Sequence, residues 1–487
     1  MSVKVSDTMR NTPGEMGRLG GSDLWPYTIL SEPTLSSELA RLASAQIIDR
    51  RTHCVSFQPN GIPECWNQDR YVVKDIDVGF SSPHDARLTW RLRAVFDGHL
   101  GHELVNHAAA ILPSTIQTAL QEIEPLSKSE NDPETISSLL QHCIISFDQS
   151  IFEDIMSFLP SAEDLTSSSV SDEDIRRIIN DRRVERTDSL SNYAKIIRSM
   201  QGSTALIALI SPNSEKLWIA NLGDCQAGIR NPSSGSWDTL PLNTPHTGWE
   251  EGEADRILKE HPNEPDVILR GRVLGAMGIT RALGDYHYKL ASIYTDRVFL
   301  NMDPPGWLGT AQEDHEWTRS IMHRRNLTPP YLSNVPDVRY FDLRAHHSSG
   351  YSEGSGVARA NGYEILSSAR QDSNVESETF TRNACLVICS DGLMDLYKRH
   401  EKWEDLEEVH IFERWIELAL VDETPAFCLN AEVVPKNNSD PRHSRNHALR
   451  ILRDALGGED EERVSSMITV EMEEKWMDDT TVIVELI

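Results

Sequence analysis

The run Leu92-Arg93-Ala94-Val95-Phe96-Asp97-Gly98-His99 decides how the chain is to be read. Its apolar part has the length of a buried strand, and Asp97-Gly98-His99 stops it abruptly. Three further strand-like runs carry an aspartate at one end. Residues 216–220 lead into Asn221-Leu222-Gly223-Asp224, residues 386–389 end at Ser390-Asp391-Gly392, and Asp478-Asp479 opens the alternating stretch 480–486. A lone Asp-Gly after a strand has an ordinary explanation: aspartate closes the turn and glycine supplies a positive φ. Four such ends together mean more. Carboxylates gathered in a partly buried cleft repel one another by kcal/mol amounts. A pair of hard divalent cations, Mg²⁺ or Mn²⁺, is the simplest neutraliser, because such ions prefer oxygen ligands. Two of them about 3.5–4 Å apart can hold a bridging water, lower its pKa and orient a phosphoryl oxygen.

Around these runs the organisation is mixed. Residues 55–96 read as short strands with turns, and residues 35–48 as apolar and helix-like. Residues 102–123 show helical spacing through Leu104, Ala108 and Ile111, with Pro113 expected to bend or divide the helix. Strands at 204–210 and 216–220 flank Ser211-Pro212-Asn213-Ser214, a hairpin signal. A helical segment is expected near 250–260. Residues 161–190, rich in Ser, Asp, Glu and Arg, read as a solvated insertion, and the loop-like 345–380 as another. The stretch 402–420 (Trp403, Leu406, Val409, Phe412, Trp415, Leu418) reads as an amphipathic helix laid on the core.

With 487 residues the chain has room for about three domains of ~150 residues, or for one large domain with insertions. Lys and Arg number 47 against 76 Asp and Glu, a formal charge of −29 that makes nucleic acid and anionic membranes poor partners. No apolar run approaches the ~18 residues of a membrane span. The seven cysteines (Cys54, Cys65, Cys143, Cys225, Cys385, Cys389, Cys428) are odd in number and lack paired spacing, which favours a reducing compartment over a disulfide framework or structural zinc. The first twenty residues have no apolar core of a secretory signal. They carry Lys4, Arg10 and Arg18 beside Asp7 and Glu15, an imperfect match to an acid-poor transit peptide. The expected location is mitochondrial or cytoplasmic, not secreted.

Six motifs follow one another: Val95-Phe96-Asp97-Gly98-His99, Gly202-Ser203-Thr204-Ala205, Ala220-Asn221-Leu222-Gly223-Asp224, Arg281-Ala282-Leu283-Gly284-Asp285, Ser390-Asp391-Gly392 and Asp478-Asp479-Thr480-Thr481-Val482. In content and order this set resembles the PPM-type (type 2C) metal-dependent Ser/Thr protein phosphatases, over most of residues 55–487. Glu260-His261-Pro262, Arg272-Val273-Leu274-Gly275 and Thr328-Pro329-Pro330-Tyr331-Leu332 are similar to stretches of the pyruvate dehydrogenase phosphatase branch. The resemblance implies an α+β fold, a four-layer α-β-β-α sandwich of two antiparallel sheets flanked by helices, with a metal cleft at one edge. Residues 1–50 would be an N-terminal extension and 51–487 the phosphatase domain. The implied reaction is hydrolysis of phosphoserine or phosphothreonine through a water activated by two Mg²⁺ or Mn²⁺ ions. The implied partner is a phosphorylated protein, with a pyruvate dehydrogenase subunit suggested by the branch. Residue by residue, Asp97 matches the carboxylate that bridges both ions and Gly98 the backbone carbonyl ligand of one. Asp391 and Asp478 match ligands of the other, Asp69 the acidic motif near the start of the fold and with it a further metal residue, and Asp224 the ligand of a third, weaker ion. His99 matches the proposed general acid, a role that suits imidazole if a neighbouring carboxylate keeps it protonated. Outside this motif, His99 would read as a turn histidine bonded to backbone.

The chain departs from the family pattern in four places. Gln68 stands where Glu is usual, bringing one negative charge less, though its carbonyl can still ligate or accept a hydrogen bond. Leu100 replaces a usual Gly, and Thr280 a common Ser. Glu64 occupies the position of a phosphate-binding arginine, so that cation has to come from elsewhere, with Arg70 the candidate. Gln68 and Glu64 point towards an alternative, a weak or inactive pseudophosphatase that binds a phosphoprotein. Asp97, His99, Asp391 and Asp478 together point against it. Hydrolysis of a small phosphorylated metabolite is a third option. Trp66, Trp90 and Trp218 read as packing residues, and His346-His347 as loop residues. Asn326-Leu327-Thr328 and Asn437-Asn438-Ser439 fit a glycosylation pattern that has meaning only on secretion.

Overall fold

A computed structural model describes residues 9–11, 24–59, 66–78, 88–123, 132–167, 169–184, 190–230, 239–303, 320–321, 324–344, 384–400, 403, 405–420, 445–471 and 475–487. Two antiparallel sheets carry the architecture. Their strands in chain order are β1 (Gln46–Ile47), β2 (Thr52–Phe57), β3 (Arg70–Val78), β4 (Leu88–Phe96), β5 (Ala205–Ile210) and β6 (Lys216–Leu222). There follow β7 (Gln226–Arg230), β8 (Thr239–Pro241), β9 (Asp337–Asp342), β10 (Cys385–Cys389) and β11 (Thr480–Leu486). The first sheet runs β9-β6-β5-β4-β3 and the second β8-β7-β10-β11-β2-β1.

The two-residue period of these strands sorts their side chains into layers. On β11, Ile483 points between the sheets, where it meets Val95, Leu206, Ala208, Ile219, Ala227 and Ile388 in one buried cluster. Its neighbours Val482, Val484 and Leu486 point the other way, into a cluster with Phe412, Trp415, Ile451 and Met467. Those last residues come from α9 (Glu408–Leu420), α10 (His447–Leu456) and α11 (Glu461–Thr469), named here within a series set by chain order. That series begins with α1 (Thr34–Leu42), α2 (Glu103–Glu122), α3 (Pro133–Met156), α4 (Ala162–Thr166), α5 (Asp172–Ile179) and α6 (Asn192–Met200). It continues with α7 (Glu251–Glu260) and α8 (Asp391–Lys398). The outer face of the first sheet (Trp90, Leu92, Ala94, Leu209, Trp218) packs on Leu104, Leu112, Ile144 and Phe147 of α2 and α3. The order of layers is therefore helix, sheet, sheet, helix. Among the described residues, no helix is long and apolar enough to cross a membrane.

Three local expectations need adjusting. Pro113 does not divide its helix: α2 runs unbroken with Pro113 buried beside Leu112 and Ile116, and tertiary packing outweighs the missing N–H. Residues 161–179 carry α4 and α5, capped by Ser161 and Ser171, which bury Leu165, Ile175 and Ile179 and leave their acids and arginines outside. Trp90 and Trp218 are fully buried in mutual contact, whereas Trp66, also expected to pack, is 59% exposed on the loop before β3. Residues 345–380 and His346-His347 lie outside the described residues. Inside the sandwich, Glu485 of β11 accepts from Arg91 (2.6 Å) and Arg93 (2.9 Å) of β4, an ion network that spans the two sheets.

Candidate active site

Strand direction brings the aspartates together. In the first sheet β4 and β6 are both antiparallel to the β5 between them, so their C-terminal ends emerge side by side. Asp97 follows the one and Gly223-Asp224 the other. In the second sheet β10 and β11 pair through Cys389 and Val482, which sets the exit of β10 against the entrance of β11. Asp391 follows the first, at the first turn of α8, and Asp478 precedes the second. The Ser390 N–H donates to Thr481 O (3.1 Å) and the Thr481 N–H to Ser390 Oγ (2.9 Å), locking that corner. Asp97 is pinned by Thr204, whose Oγ1 accepts from its N–H (2.9 Å) and whose N–H donates to its carbonyl (2.8 Å).

Carboxylate oxygens of Asp97, Asp224 and Asp391 lie within 4.8 Å of one another. Burial raises the pKa of all three, and around Asp97 the charges of Asp391, Asp69, Asp224 and Asp478 push the same way. A cluster of this kind is a strained arrangement for bare carboxylates and a favourable one for a cation. Two further observations fit a divalent ion: among the described residues the buried oxygens Asp391 Oδ1 and Asp69 Oδ1 have no hydrogen-bond partner, and the donor set is all oxygen, which Mg²⁺ and Mn²⁺ prefer. The other oxygen of Asp69 accepts from Ser390 Oγ (2.6 Å). Asp478 is drawn to Lys475, with Nζ at 3.3 Å from its Oδ1 and 3.1 Å from Asp479 Oδ2. Gly98 is backed by Gln68 O and Val105, which leave no room for a β-carbon.

His99 has its Nε2 on both oxygens of Asp285, at 3.0 and 2.9 Å. The carboxylate is wholly buried while the imidazole is 29% exposed towards solvent. Burial alone would lower the His99 pKa, but Asp285, helped by Asp224 and Asp478, outweighs it and raises the value. The pairing rests on a small three-stranded sheet in which His99 pairs with Gly202 and Gly202 with Gly284. A β-carbon at position 202 would lie 2.0 Å from His99 Nε2 and 2.2 Å from Asp285 Oδ2, so only glycine fits.

The departures from the family pattern find physical roles. Gln68 Oε1 accepts from the Gly101 N–H (3.0 Å), so it braces the loop after His99. Leu100 in that loop has φ +63°, a left-handed conformation that glycine adopts more readily. Arg70 donates through Nε to Asn106 (2.7 Å) and through Nη1 to the carbonyls of Asn67 (2.9 Å) and Asp69 (2.6 Å), which fixes the guanidinium beside the acidic cluster. Three contributors were not assigned from the sequence. Asp285 sat in a quoted motif without a role. Asp395, one helical turn beyond Asp391, bears on both Asp224 and Asp391 electrostatically. Asp479 accepts from Gln58 (2.7 Å) and from the Gln68 N–H (2.8 Å) and is a strut, not part of the cluster.

Compared with known proteins, residues 146–348 match the family model described as protein phosphatase 2C, a stretch that holds Asp224 and Asp285. The chain is 24% identical over 424 residues to human mitochondrial [pyruvate dehydrogenase [acetyl-transferring]]-phosphatase 2, covering 80% of this chain and 71% of that protein. It is 31% identical over 160 residues to phosphatase 1 of the same description from Saccharomyces cerevisiae, covering 32% of this chain and 26% of that one. Against human phosphatase 1 the figures are 29% over 279 residues, 52% and 50%. The matches thus span half or less of the length of the two type 1 relatives.

Proposed function

We propose, from the likeness of this chain to the PPM-type (2C) phosphatases and to the pyruvate dehydrogenase phosphatases among them, that it is a Mg²⁺- or Mn²⁺-dependent hydrolase of phosphoserine and phosphothreonine in a protein. The observation that carries this reading is the meeting of Asp97, Asp224 and Asp391 from strand ends of both sheets. Asp97, Asp391 and Asp478, with the Gly98 carbonyl, would hold two ions, and Asp224 a third. Bound divalent cations supply charge neutralisation for the phosphoryl oxygens and a lowered pKa for an attacking water. The rest falls to side chains. His99 stands beside the cluster with Nε2 on Asp285, and among the described residues its Nδ1 has no hydrogen-bond partner. Nδ1–H is therefore the group that can protonate the departing Ser or Thr oxygen as its bond to phosphorus breaks. Asp285 keeps the ring charged and turned. Arg70, anchored on three sides, is the cation placed to meet a phosphoryl oxygen where the family's arginine is replaced by Glu64.

The relatives' mitochondrial descriptions support a mitochondrial location, and their substrate a phosphorylated pyruvate dehydrogenase subunit as partner. Residues 51–487 are then the catalytic domain and 1–50 its extension.

Asp391→Asn should remove nearly all Mn²⁺-dependent activity on p-nitrophenyl phosphate. Retention of more than about a tenth of the wild-type rate, a loss of only ~1.4 kcal/mol, contradicts a ligand role. Calorimetric titration with Mn²⁺ separates enzyme from pseudophosphatase. Two ions bound by the wild-type protein support the enzyme, and none bound supports the scaffold.

A further inference from the structure

Helix α3 turns an apolar face to the core through Ile144, Phe147 and Ile151, yet places Asp148 beside them at 1% exposure. A buried carboxylate persists only where its charge and lone pairs are met. Here they are met from one segment above all. Oδ1 accepts from the Gly284 N–H (2.8 Å), Oδ2 from Lys289 Nζ (2.9 Å) and from Asn334 Nδ2 (3.0 Å), and the Asp148 carbonyl from the Tyr286 hydroxyl (2.6 Å).

That segment contains two successive left-handed residues, Gly284 at φ +72° and Asp285 at φ +52°. For aspartate this conformation is unfavourable and survives only where surrounding contacts impose it. Two contacts do so: Asp148 takes the N–H of Gly284, and the Gln201 carbonyl takes the N–H of Asp285 (2.9 Å). The side chain so aimed reaches His99, with no slack above Gly202.

We propose that Asp148 is a positioning residue for the leaving-group step, acting through the Gly284 N–H to hold Asp285 against His99. The proposal rests on the phosphatase reading above, with His99 as the proton donor. It belongs to no metal ligand set and touches none of the acids of the cluster.

The test compares two substrates that differ in their need for a proton. A serine alkoxide leaves poorly without one, whereas p-nitrophenolate leaves readily. In Asp148→Ala, kcat on a phosphoserine peptide should fall at least tenfold more than kcat on p-nitrophenyl phosphate, with Mn²⁺ binding by calorimetry unchanged. Asp148→Asn keeps an oxygen for the Gly284 N–H and should stay within about threefold of wild type on both. Equal losses on the two substrates, or a selective loss in Asp148→Asn as large as in Asp148→Ala, overturn the proposal. Should Asp148→Ala fail to fold, Asp148→Glu displaces the carboxylate while keeping its charge. It should show the same selective loss, and its absence overturns the proposal equally. A wild-type protein without divalent-dependent activity on either substrate instead overturns the phosphatase reading itself.

Discussion

Gly202 sets the tolerance of the His99–Asp285 pair, because a single methyl there would occupy the space of their contact. Gly202→Ala should therefore lower kcat on a phosphoserine peptide by about 100-fold or more, near the 10²–10⁴-fold that a positioned proton donor contributes, while the melting temperature changes little. Steady-state kinetics and a thermal melt check this together. At this scale the sequence is informative where a residue's chemistry depends on its own motif. Asp97, Asp224 and Asp391 each end a strand-like run and their carboxylates meet, while the fourth of the set, Asp478, is not in that group and pairs with Lys475. Asp285 ends a motif too, but the carboxylate that a charged His99 needs could come from any of many acids in the chain. Only the pairing of Gly202 with both His99 and Gly284 singles it out. Trp66 failed for a related reason: large apolar side chains are usually covered, and nothing local shows that position 66 lies on a loop.

Among the elements, α7 is tied towards the site through a chain of charged groups. Glu253 in its first turn accepts from Arg281 (2.5 and 3.0 Å), Arg256 (3.0 Å) and Thr280 (2.6 Å). Arg281 also reaches Asp337 (2.9 Å) on β9, and Asp337 meets His246 (3.2 Å), whose Nδ1 accepts from the Gly223 N–H next to Asp224. Burial pushes the Glu253 carboxyl up, but the hydrogen bonds from Arg281, Arg256 and Thr280 outweigh it and hold the pKa at about 2, against an ordinary 4.5. A depressed carboxyl stabilises the fold fully above its unfolded value and loses that stabilisation as pH falls towards its folded one. The attachment of α7 should thus weaken between pH 4.5 and 2 by an amount on the order of 3 kcal/mol. Hydrogen exchange of residues 246–281, corrected for intrinsic rates, should rise over that window. Glu253→Gln should exchange rapidly already at neutral pH. Exchange indifferent to both changes contradicts the anchoring role. Elements such as β5 and β11 were legible because an unbroken apolar or alternating run has few other uses, while the continuity of α2 through Pro113 was not. Its packing against the first sheet is a property of residues far away in the chain.

For the molecule as a whole, the acidic cluster is shared. Asp97 and Asp224 come from the first sheet, Asp391 and Asp478 from the ends of two strands in the second. On the proposed function, cations held between them would join the sheets and link binding to folding. Mn²⁺ at 100 times its dissociation constant should stabilise the protein by about 2.7 kcal/mol per site. The shift should reverse on chelation and shrink sharply in Asp391→Asn, as a denaturant titration would show. An unchanged midpoint in Mn²⁺ excludes a site that bridges the sheets. The resemblance to the phosphatase family made the layers legible, but not the pairing partners of the strands, since β11 inserts between β10 and a β2 more than 400 residues earlier. That insertion has a temporal meaning. On the ribosome the corner of Ser390 and Thr481 stays open until the strand after Asp478 has emerged, so Asp391 gains its fixed place beside Asp97 and Asp224 only late in synthesis.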